Sequence, residues 1–278
     1  MAADERDDDE LMLGGVSAQA RALARLRPLP PAVVARLGGV LRADELEVIY
    51  TSNAIEGSTL TLRETELVVE QGITIGGKPL KDHLAAVNLA AALQQIKDIA
   101  RGGSPLTETM ALDLHRIVLA RIDDANAGRY RHDPIRIVGA THAPPNARRV
   151  PDVMAALWED YARRADHDHP VLVAADLHER IAATHPFIDG NGRTARLVMN
   201  LHLLRYGYPL TIIPAERDMR LAYYEALDMA AANQDPAPFR AFIIDRVADM
   251  LERYRTIAHE EGLPWNDTDQ DRVQGRYP

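Results

Sequence analysis

Apolar residues recur at three- and four-residue spacings along most of this chain, a pattern typical of amphipathic helices that bury one face. From residue 44 to residue 55, Leu46, Ile49 and Asn53 share one face, and Gly57 is suited to end that helix. A second helix follows, because Thr61 and Glu64 have capping-box spacing. The same reading predicts helices over residues 83–100, 106–122, 151–164, 171–184, 194–206, 216–233 and 236–258.

The two ends of the chain differ from this pattern. The first ten residues are acidic and predict a disordered tail, and the proline-rich stretch at residues 26–31 separates one short helix from the next. We therefore expect a tail and linker at 1–30, an N-terminal helical region at 31–105, a catalytic core at 106–258 and a C-terminal tail at 259–278.

Strand evidence is confined to "PIRIVGATHAPP", residues 134–145. Ile135 and Ile137 alternate with polar residues, and Gly139 provides a turn, which predicts a short β-hairpin. The fold class expected from the pattern is thus all-α, with one small hairpin.

Composition narrows the function. Alanine and leucine dominate the apolar residues and aromatic residues make up 5%, which favours helices over sheets. A net charge of -9 argues against general binding to nucleic acid. The chain has no cysteine, which excludes thiolate chemistry, and no apolar run long enough to span a membrane, so we expect a cytoplasmic protein.

The segment "THPFIDGNGRTAR", residues 184–196, interrupts two helical patterns with a concentration of polar groups. Gly190 and Gly192 allow backbone N–H groups to converge at the start of the next helix, which predicts an anion site. Arg193 and Arg196 lie three residues apart on that helix and are able to bind phosphates together. A capped helix junction would explain one glycine and one charge, but not the whole set.

Two further side chains in this segment add chemistry to the anion site. Asp189 offers an oxygen ligand of the kind that Mg²⁺ prefers, and His185 is the natural proton acceptor beside it.

The run "HPFIDGNGRTAR" resembles the Fic family signature at every specified position. The resemblance extends from about residue 44 to residue 254 and implies a helical bundle with a β-hairpin flap over the active site. It also implies transfer of AMP from ATP to a hydroxyl group of a target protein, with release of pyrophosphate. Glycine at position 192 favours AMP transfer, since relatives that use ATP as a phosphate donor have lysine there.

The resemblance assigns roles within the motif. His185 would deprotonate the target hydroxyl, Asp189 would bind Mg²⁺ and Asn191 would hydrogen-bond the α-phosphate. The anion hole would come from the N–H groups of residues 190–192, and the β- and γ-phosphates would be held by Arg193 and Arg196. Phe187 is expected to anchor the loop in the core beside the nucleotide.

Two other segments resemble parts of the family. Residues Ile135, Ile137, Val138 and Gly139 correspond to the flap that docks a target by strand addition, with an ordinary surface hairpin as the alternative. Residues 216–239 resemble the segment that lines the adenosine pocket. Tyr224 and Asn233 are the expected base contacts, although sequence does not separate Tyr224 from Tyr223, and either ring could fill core space instead.

"TSNAIEGS" resembles the inhibitory motif of the family at Ser52, Glu56 and Gly57. The i,i+4 spacing places Ser52 and Glu56 on one helix face, where Glu56 would pair with Arg196 and exclude the γ-phosphate. The alternative is a routine glutamate at a helix end. In some relatives the same glutamate positions water for removal of AMP.

These observations predict an autoinhibited protein adenylyltransferase that uses ATP and Mg²⁺. Its protein substrate would present a Tyr, Thr or Ser hydroxyl, and the chain would also modify itself. A de-AMPylating or bifunctional enzyme of the same fold and a nucleotide-responsive interaction protein without turnover remain alternatives. Oligomeric state is left open, with a homodimer among the options.

Overall fold

A computed structural model describes residues 4–26, 31–137 and 139–266 of the chain. Ten α-helices and one turn of 3₁₀-helix at Ala147–Arg149 account for its regular structure. The α-helices are α1 (Asp4–Arg25), α2 (Pro31–Ile55), α3 (Leu62–Gln71), α4 (Leu80–Gly102), α5 (Glu108–Leu119), α6 (Val150–Arg164), α7 (Pro170–Thr184), α8 (Asn191–Arg205), α9 (Arg217–Asn233) and α10 (Ala237–Glu260).

Helix α8 lies at the centre of the bundle. Twelve of its fifteen residues are buried, and it packs against α2, α4, α5 and α7. Leu197 and Leu201 belong to one apolar cluster, while Met199 and Leu203 belong to a second cluster on the other side of the helix. A helix buried on all sides holds its N-terminus in a fixed position, because neighbours contact it from every direction.

The structure confirms most of the helices that the sequence predicts, with shifts of a few residues at their ends. The capping box of α3 forms as expected: Glu64 N–H donates to the Thr61 hydroxyl, and Thr61 N–H donates to the Glu64 carboxylate. Helix α2 is longer than predicted and begins at Pro31, a favoured residue for the first helical turn. Among the described residues, no helix has the length and apolar character needed to cross a membrane.

The predicted disordered tail at the N-terminus is wrong for the part that the structure describes. Helix α1 begins at Asp4 and packs against α10, with Val16 and Ala22 buried. Ser17 Oγ also lies 2.8 Å from His169 Nε2, before α7.

The predicted β-hairpin is not formed in residues 134–137 and 139–145, and Val138 lies outside the described residues. A turn is present where Gly139 predicts one, with Ala140 N–H donating to Ile137 O at 3.3 Å. Two strands alone are marginal in water, and here Asp228 of α9 accepts from the Thr141 N–H at 2.7 Å in place of a partner strand.

The docking of α1 generates a stability prediction. Val16 is 3% exposed, so Val16→Ala removes two buried methyl groups and lowers the free energy of unfolding by about 2 kcal/mol. The matched control is Met12→Ala in the same helix, because Met12 is 39% exposed. Urea denaturation measures both changes. If α1 is detached from the bundle in solution, the two variants will unfold like the parent.

Candidate active site

The loop from His185 to Gly190 connects α7 to α8 and is set by two left-handed residues. Gly190 has φ +80° and His185 has φ +48°, an uncommon value for a residue with a side chain. His185 N–H still donates to Ile181 O, so His185 is the C-cap of α7. Its strained conformation turns the chain sharply and places the imidazole beside the start of α8.

Asn191 and Phe187 hold this loop from within. The Asn191 amide accepts from the Phe187 N–H at 2.9 Å and donates to the Phe187 carbonyl at 3.0 Å. Both of its polar groups therefore serve the loop, and the second hydrogen of its amide nitrogen is not used by the Phe187 carbonyl. The Phe187 ring is buried as predicted and stacks on His115, with centroids 3.6 Å apart.

His115 fixes the loop from helix α5. Its Nε2 lies 2.9 Å from Asp189 O, and Gly128 N–H donates to its Nδ1 at 2.9 Å. Because Nδ1 accepts a hydrogen bond, the proton of the neutral ring is on Nε2. Burial lowers the pKa of His115 to about 4, so the ring keeps this tautomer at neutral pH.

The N-terminus of α8 has the features of an anion site. Its first N–H groups, from residues 191–193, lack partners within the helix, and the helix dipole favours negative charge there. The Arg193 side chain is 4% exposed and donates to Asp189 at 2.9 Å. Its Nε is buried without any hydrogen-bond partner among the described residues. A buried unsatisfied donor beside a helix N-terminus points to a bound acceptor.

Asp189 faces several donors at the same point. Its Oδ2 accepts from Lys81 of α4 at 2.9 Å, and its Oδ1 accepts from Arg193 and from the Gly190 N–H. Burial alone would raise the pKa of Asp189, but Lys81, Arg193 and the Gly190 N–H together lower it below the ordinary value. The carboxylate is therefore ionised at neutral pH.

Arg196 is held by the C-terminal turn of α2. Its Nε donates to Ser52 Oγ at 2.8 Å, and its Nη2 donates to Ser52 O at 2.8 Å and to Glu56 Oε1 at 2.7 Å. Tyr223 accepts from Nη1 at 3.2 Å. These contacts agree with the predicted pairing of Ser52 and Glu56 with Arg196, and Gly57 ends the turn with φ +91°.

Gly192 allows this pair to form. A Cβ atom at position 192 would overlap Glu56 Oε1 and lie 3.0 Å from Arg196 Nη1. The glycine in the motif thus permits the Glu56 carboxylate to reach the start of α8, which the sequence did not indicate.

A cavity of about 490 Å³ brings these groups together, and we call it the catalytic cavity. His185, Asn191, Gly192 and Glu56 line one end of it. Burial lowers the pKa of His185, although the Ala182 carbonyl and Glu56 oppose the shift. Its Nδ1 lies 3.3 Å from the Ala182 carbonyl, which leaves Nε2 of the neutral ring free to accept a proton.

Some of the remaining predicted residues line the catalytic cavity, and others do not. Tyr223 and Tyr224 both line the catalytic cavity, but Tyr224 is 44% exposed, while Tyr223 is 1% exposed and hydrogen-bonded to Arg196. Ile137 and Gly139 also line this cavity. Two expected contacts lie elsewhere: Asn233 is exposed at the end of α9, and Ile135 is absent from the lining.

Arg131 is a residue of this site that sequence reasoning missed. It is 2% exposed and donates to three carbonyls, those of His185 at 2.8 Å, Asp133 at 3.2 Å and Pro145 at 2.6 Å. It therefore joins the loop from His185 to Gly190, which we call the motif loop, to both ends of the segment at residues 133–145. A lone arginine before a turn gives no sequence signal of this role, which depends on tertiary contacts.

We predict that Arg131→Met lowers the free energy of unfolding by roughly 3 kcal/mol, because three buried carbonyls lose a charged donor. The matched control is Arg129→Met at a neighbouring exposed position. This substitution should change the free energy of unfolding by less than about 0.5 kcal/mol. Denaturant titration of both variants makes the comparison. Equal stability of the two variants would show that the guanidinium does not hold the loop.

Sequence comparison finds relatives of this architecture. Residues 105–203 match the Fic/DOC family. The chain is 36% identical over 211 residues to "Protein adenylyltransferase Fic" of Drosophila persimilis, a match covering 74% of the chain and 40% of the relative. The protein of the same name in Drosophila melanogaster is 35% identical over 225 residues, covering 78% and 44% respectively. The chain thus spans about two fifths of the length of these curated relatives.

Solved structures of Fic proteins are also similar to this chain. Residues 134–508 of Fic-1 from C. elegans superpose with a TM-score of 0.79 at 28% identity, over 92% of this chain and 74% of that one. A Fic domain containing signaling protein from Bacteroides thetaiotaomicron gives 0.79 at 29% identity, over 91% and 98%. The chain therefore belongs to the Fic/DOC family, and residues 105–203 are its family domain.

Proposed function

We propose that the chain is a protein adenylyltransferase held in an inhibited state by α2. One observation carries the proposal: the free Nε2 side of His185, the anion site at the start of α8 and the Glu56–Arg196 pair all meet in the catalytic cavity. The relatives named protein adenylyltransferase Fic support the same reaction.

In the proposed reaction, the hydroxyl oxygen of a target side chain attacks the α-phosphorus of ATP. His185 accepts the hydroxyl proton, the bond from the α-phosphorus to the bridging oxygen breaks, and pyrophosphate leaves with that electron pair. The N–H groups at the start of α8 stabilise the charge on the α-phosphate, and Arg193 neutralises the departing phosphates. Asn191 fixes the loop, and the second hydrogen of its amide would donate to the α-phosphate.

The site offers Mg²⁺ a single protein ligand, the carboxylate of Asp189. The described part of the chain has no group of three or more His, Cys, Asp or Glu side chains able to enclose a metal. Mg²⁺ commonly binds through one carboxylate and the phosphates of a nucleotide, so Asp189 would suffice as its protein ligand once Lys81 releases it. The ion, when bound, would neutralise phosphate charge.

Inhibition follows from the engagement of Arg196. The guanidinium already donates four hydrogen bonds to Ser52, Glu56 and Tyr223, which leaves one N–H group and no pair of donors for a γ-phosphate. ATP would then bind with its triphosphate displaced and its α-phosphate wrongly presented to the target hydroxyl. Release of Glu56 would restore the productive pose.

The partner in this reaction is a protein hydroxyl, on a separate target or on the chain itself. Ile137 and Gly139 border the catalytic cavity, and we propose that their segment docks the target polypeptide by backbone pairing, as a flap would. A cytoplasmic location fits this proposal, because ATP is supplied there.

We predict that Glu56→Gly increases self-labelling with α-labelled ATP by roughly ten- to a hundredfold, since a charge-assisted pair contributes about 1.5 to 3 kcal/mol. Incorporation of label at early times measures the rate. Adding Arg196→Ala should remove most of this gain, because the freed arginine is the proposed beneficiary. Adding His185→Ala should abolish labelling while ATP still binds.

The same assay separates the alternative functions. Binding of ATP without labelling by Glu56→Gly would favour an interaction protein without turnover. A chase with unlabelled ATP tests removal of AMP: if Glu56 positions water, the parent will lose label faster than Glu56→Gly. If Glu56→Gly incorporates label no faster than the parent, the inhibitory role of α2 is wrong.

A further inference from the structure

The stretch at residues 129–149 carries the opposite charge to the chain as a whole. It contains five arginines and a single carboxylate, Asp133, whereas the whole chain has 32 basic and 41 acidic side chains. Arg131 is buried and holds the motif loop. The other four arginines are exposed, and we call them the basic rim: Arg129, Arg136, Arg148 and Arg149.

The guanidinium groups of the basic rim form no ion pair with any residue in the described ranges. Exposed arginines on other helices do form such pairs: Arg101 lies 2.9 Å from Asp98, and Arg163 lies 2.9 Å from Asp160. A carboxylate from another molecule would therefore bind the basic rim without first displacing a carboxylate of the chain itself.

The backbone places the basic rim beside the catalytic histidine of the proposal. Arg131 N–H donates to the carbonyl of Pro186, the residue after His185, at 2.9 Å. The Arg131 side chain donates to the carbonyls of Asp133 and Pro145. The segment at residues 133–145 thus leaves this point and returns to it.

The four arginines lie on both sides of that segment and within it. Arg129 is two residues before Arg131, while Arg148 and Arg149 follow the segment on the 3₁₀ turn, which keeps their Cα atoms within about 10 Å of Pro145. Arg136 lies inside the segment, next to Ile137 in the lining of the catalytic cavity. A polypeptide that pairs with this segment would therefore have positive charge on both sides.

We infer that the basic rim binds a carboxylate-rich segment of the target protein, with acidic residues flanking the hydroxyl group that is modified. The inference rests on the proposed function, which makes the partner a protein and the segment at residues 133–145 its docking site. It deepens that function by naming the chemistry that the target must present.

Side-chain chemistry supplies what backbone pairing lacks. Hydrogen bonds between main chains give affinity without reading sequence, so selectivity has to come from side chains beside the paired strand. Arginine presents a fork of donors that matches a carboxylate, and it stays charged at any physiological pH. Because the chain has a net charge of -9, an acidic target would be repelled by most of the surface and attracted only at the basic rim.

An acidic polypeptide fits this surface better than a nucleic acid does. Binding to a nucleic acid requires an extended basic footprint that neutralises many phosphates. The basic rim offers four charges around one short segment of an acidic chain. A few glutamate or aspartate side chains are sufficient to match it.

The test measures binding of short synthetic peptides to the full chain by fluorescence anisotropy, without nucleotide and without turnover. Three peptides share a central threonine and a neutral dye, and their flanking residues are glutamate, glutamine or lysine. In about 0.05 M NaCl the glutamate peptide should bind about tenfold more tightly than the glutamine peptide, and the lysine peptide most weakly, because each exposed ion pair contributes a factor of about three. The differences should shrink in about 0.5 M NaCl, where exposed charges are screened.

Variants assign the effect to the basic rim. Arg148→Gln combined with Arg149→Gln should weaken binding of the glutamate peptide about tenfold and leave the glutamine peptide unchanged. Arg136→Gln alone should weaken binding of the glutamate peptide about threefold. The matched control is Arg101→Gln, which removes an exposed arginine about 30 Å along α4 from Lys81 and should bind every peptide like the parent.

Labelling in the Glu56→Gly background separates this inference from the proposed function. With α-labelled ATP, the added pair Arg148→Gln and Arg149→Gln should raise KM for the glutamate peptide about tenfold and leave kcat unchanged, since the basic rim binds the target equally in the ground and transition states. If the peptides bind as expected but none is labelled, the proposed reaction is wrong and the docking surface stands.

Three results would overturn the inference. The first is equal binding of the glutamate and glutamine peptides at low salt. The second is the same loss of binding in Arg101→Gln as in the Arg148 and Arg149 pair, which would assign the effect to overall charge. The third is a single-stranded RNA of similar charge that binds more tightly than the glutamate peptide and depends on the same arginines, because the basic rim would then be a nucleic-acid site.

Discussion

The engagement of Arg196 by α2 is the contact on which the state of this site depends. Arg196 is 5% exposed, and its guanidinium donates to Ser52, Glu56 and Tyr223 in one plane of contacts. Removing a single acceptor from so buried a cation would be costly, so the contacts of Arg196 with α2 and Tyr223 are stable as a unit. Gly192 permits it, because any side chain there would overlap Glu56.

The rest of the site is arranged to keep the motif loop rigid around that contact. His115 holds the Asp189 carbonyl, Asn191 holds both polar groups of the Phe187 backbone, and Arg131 holds the His185 carbonyl. His115 belongs to α5, Asn191 is the first residue of α8, and Arg131 lies between α5 and α6. The catalytic histidine of the proposal is therefore positioned by buried polar contacts that do not involve Glu56.

Sequence reasoning succeeded where chemistry is local. The motif at residues 184–196 is contiguous, and the i,i+4 spacing of Ser52 and Glu56 is a property of one helix. Their partner, Arg196, was expected only from the resemblance to the inhibitory motif of the family. Sequence reasoning was less successful where contacts between distant elements determine the local structure or the role of a residue. Helix α1 packs against α10, Asp228 binds Thr141 in place of a hairpin partner, and the role of Arg131 depends on distant elements. Asn233 was misplaced because a family segment does not fix which face of α9 reaches the cavity.

The central claim is that Glu56 occupies the face of Arg196 that a γ-phosphate requires. Calorimetric dissociation constants of ATP and ADP, compared between the parent and Glu56→Ala, test it directly without any catalytic step. The account predicts that the parent binds the two nucleotides about equally, and that Glu56→Ala binds ATP about tenfold more tightly than ADP. A parent that already prefers ATP by the same factor would contradict the claim, because its γ-phosphate would be bound with Glu56 in place.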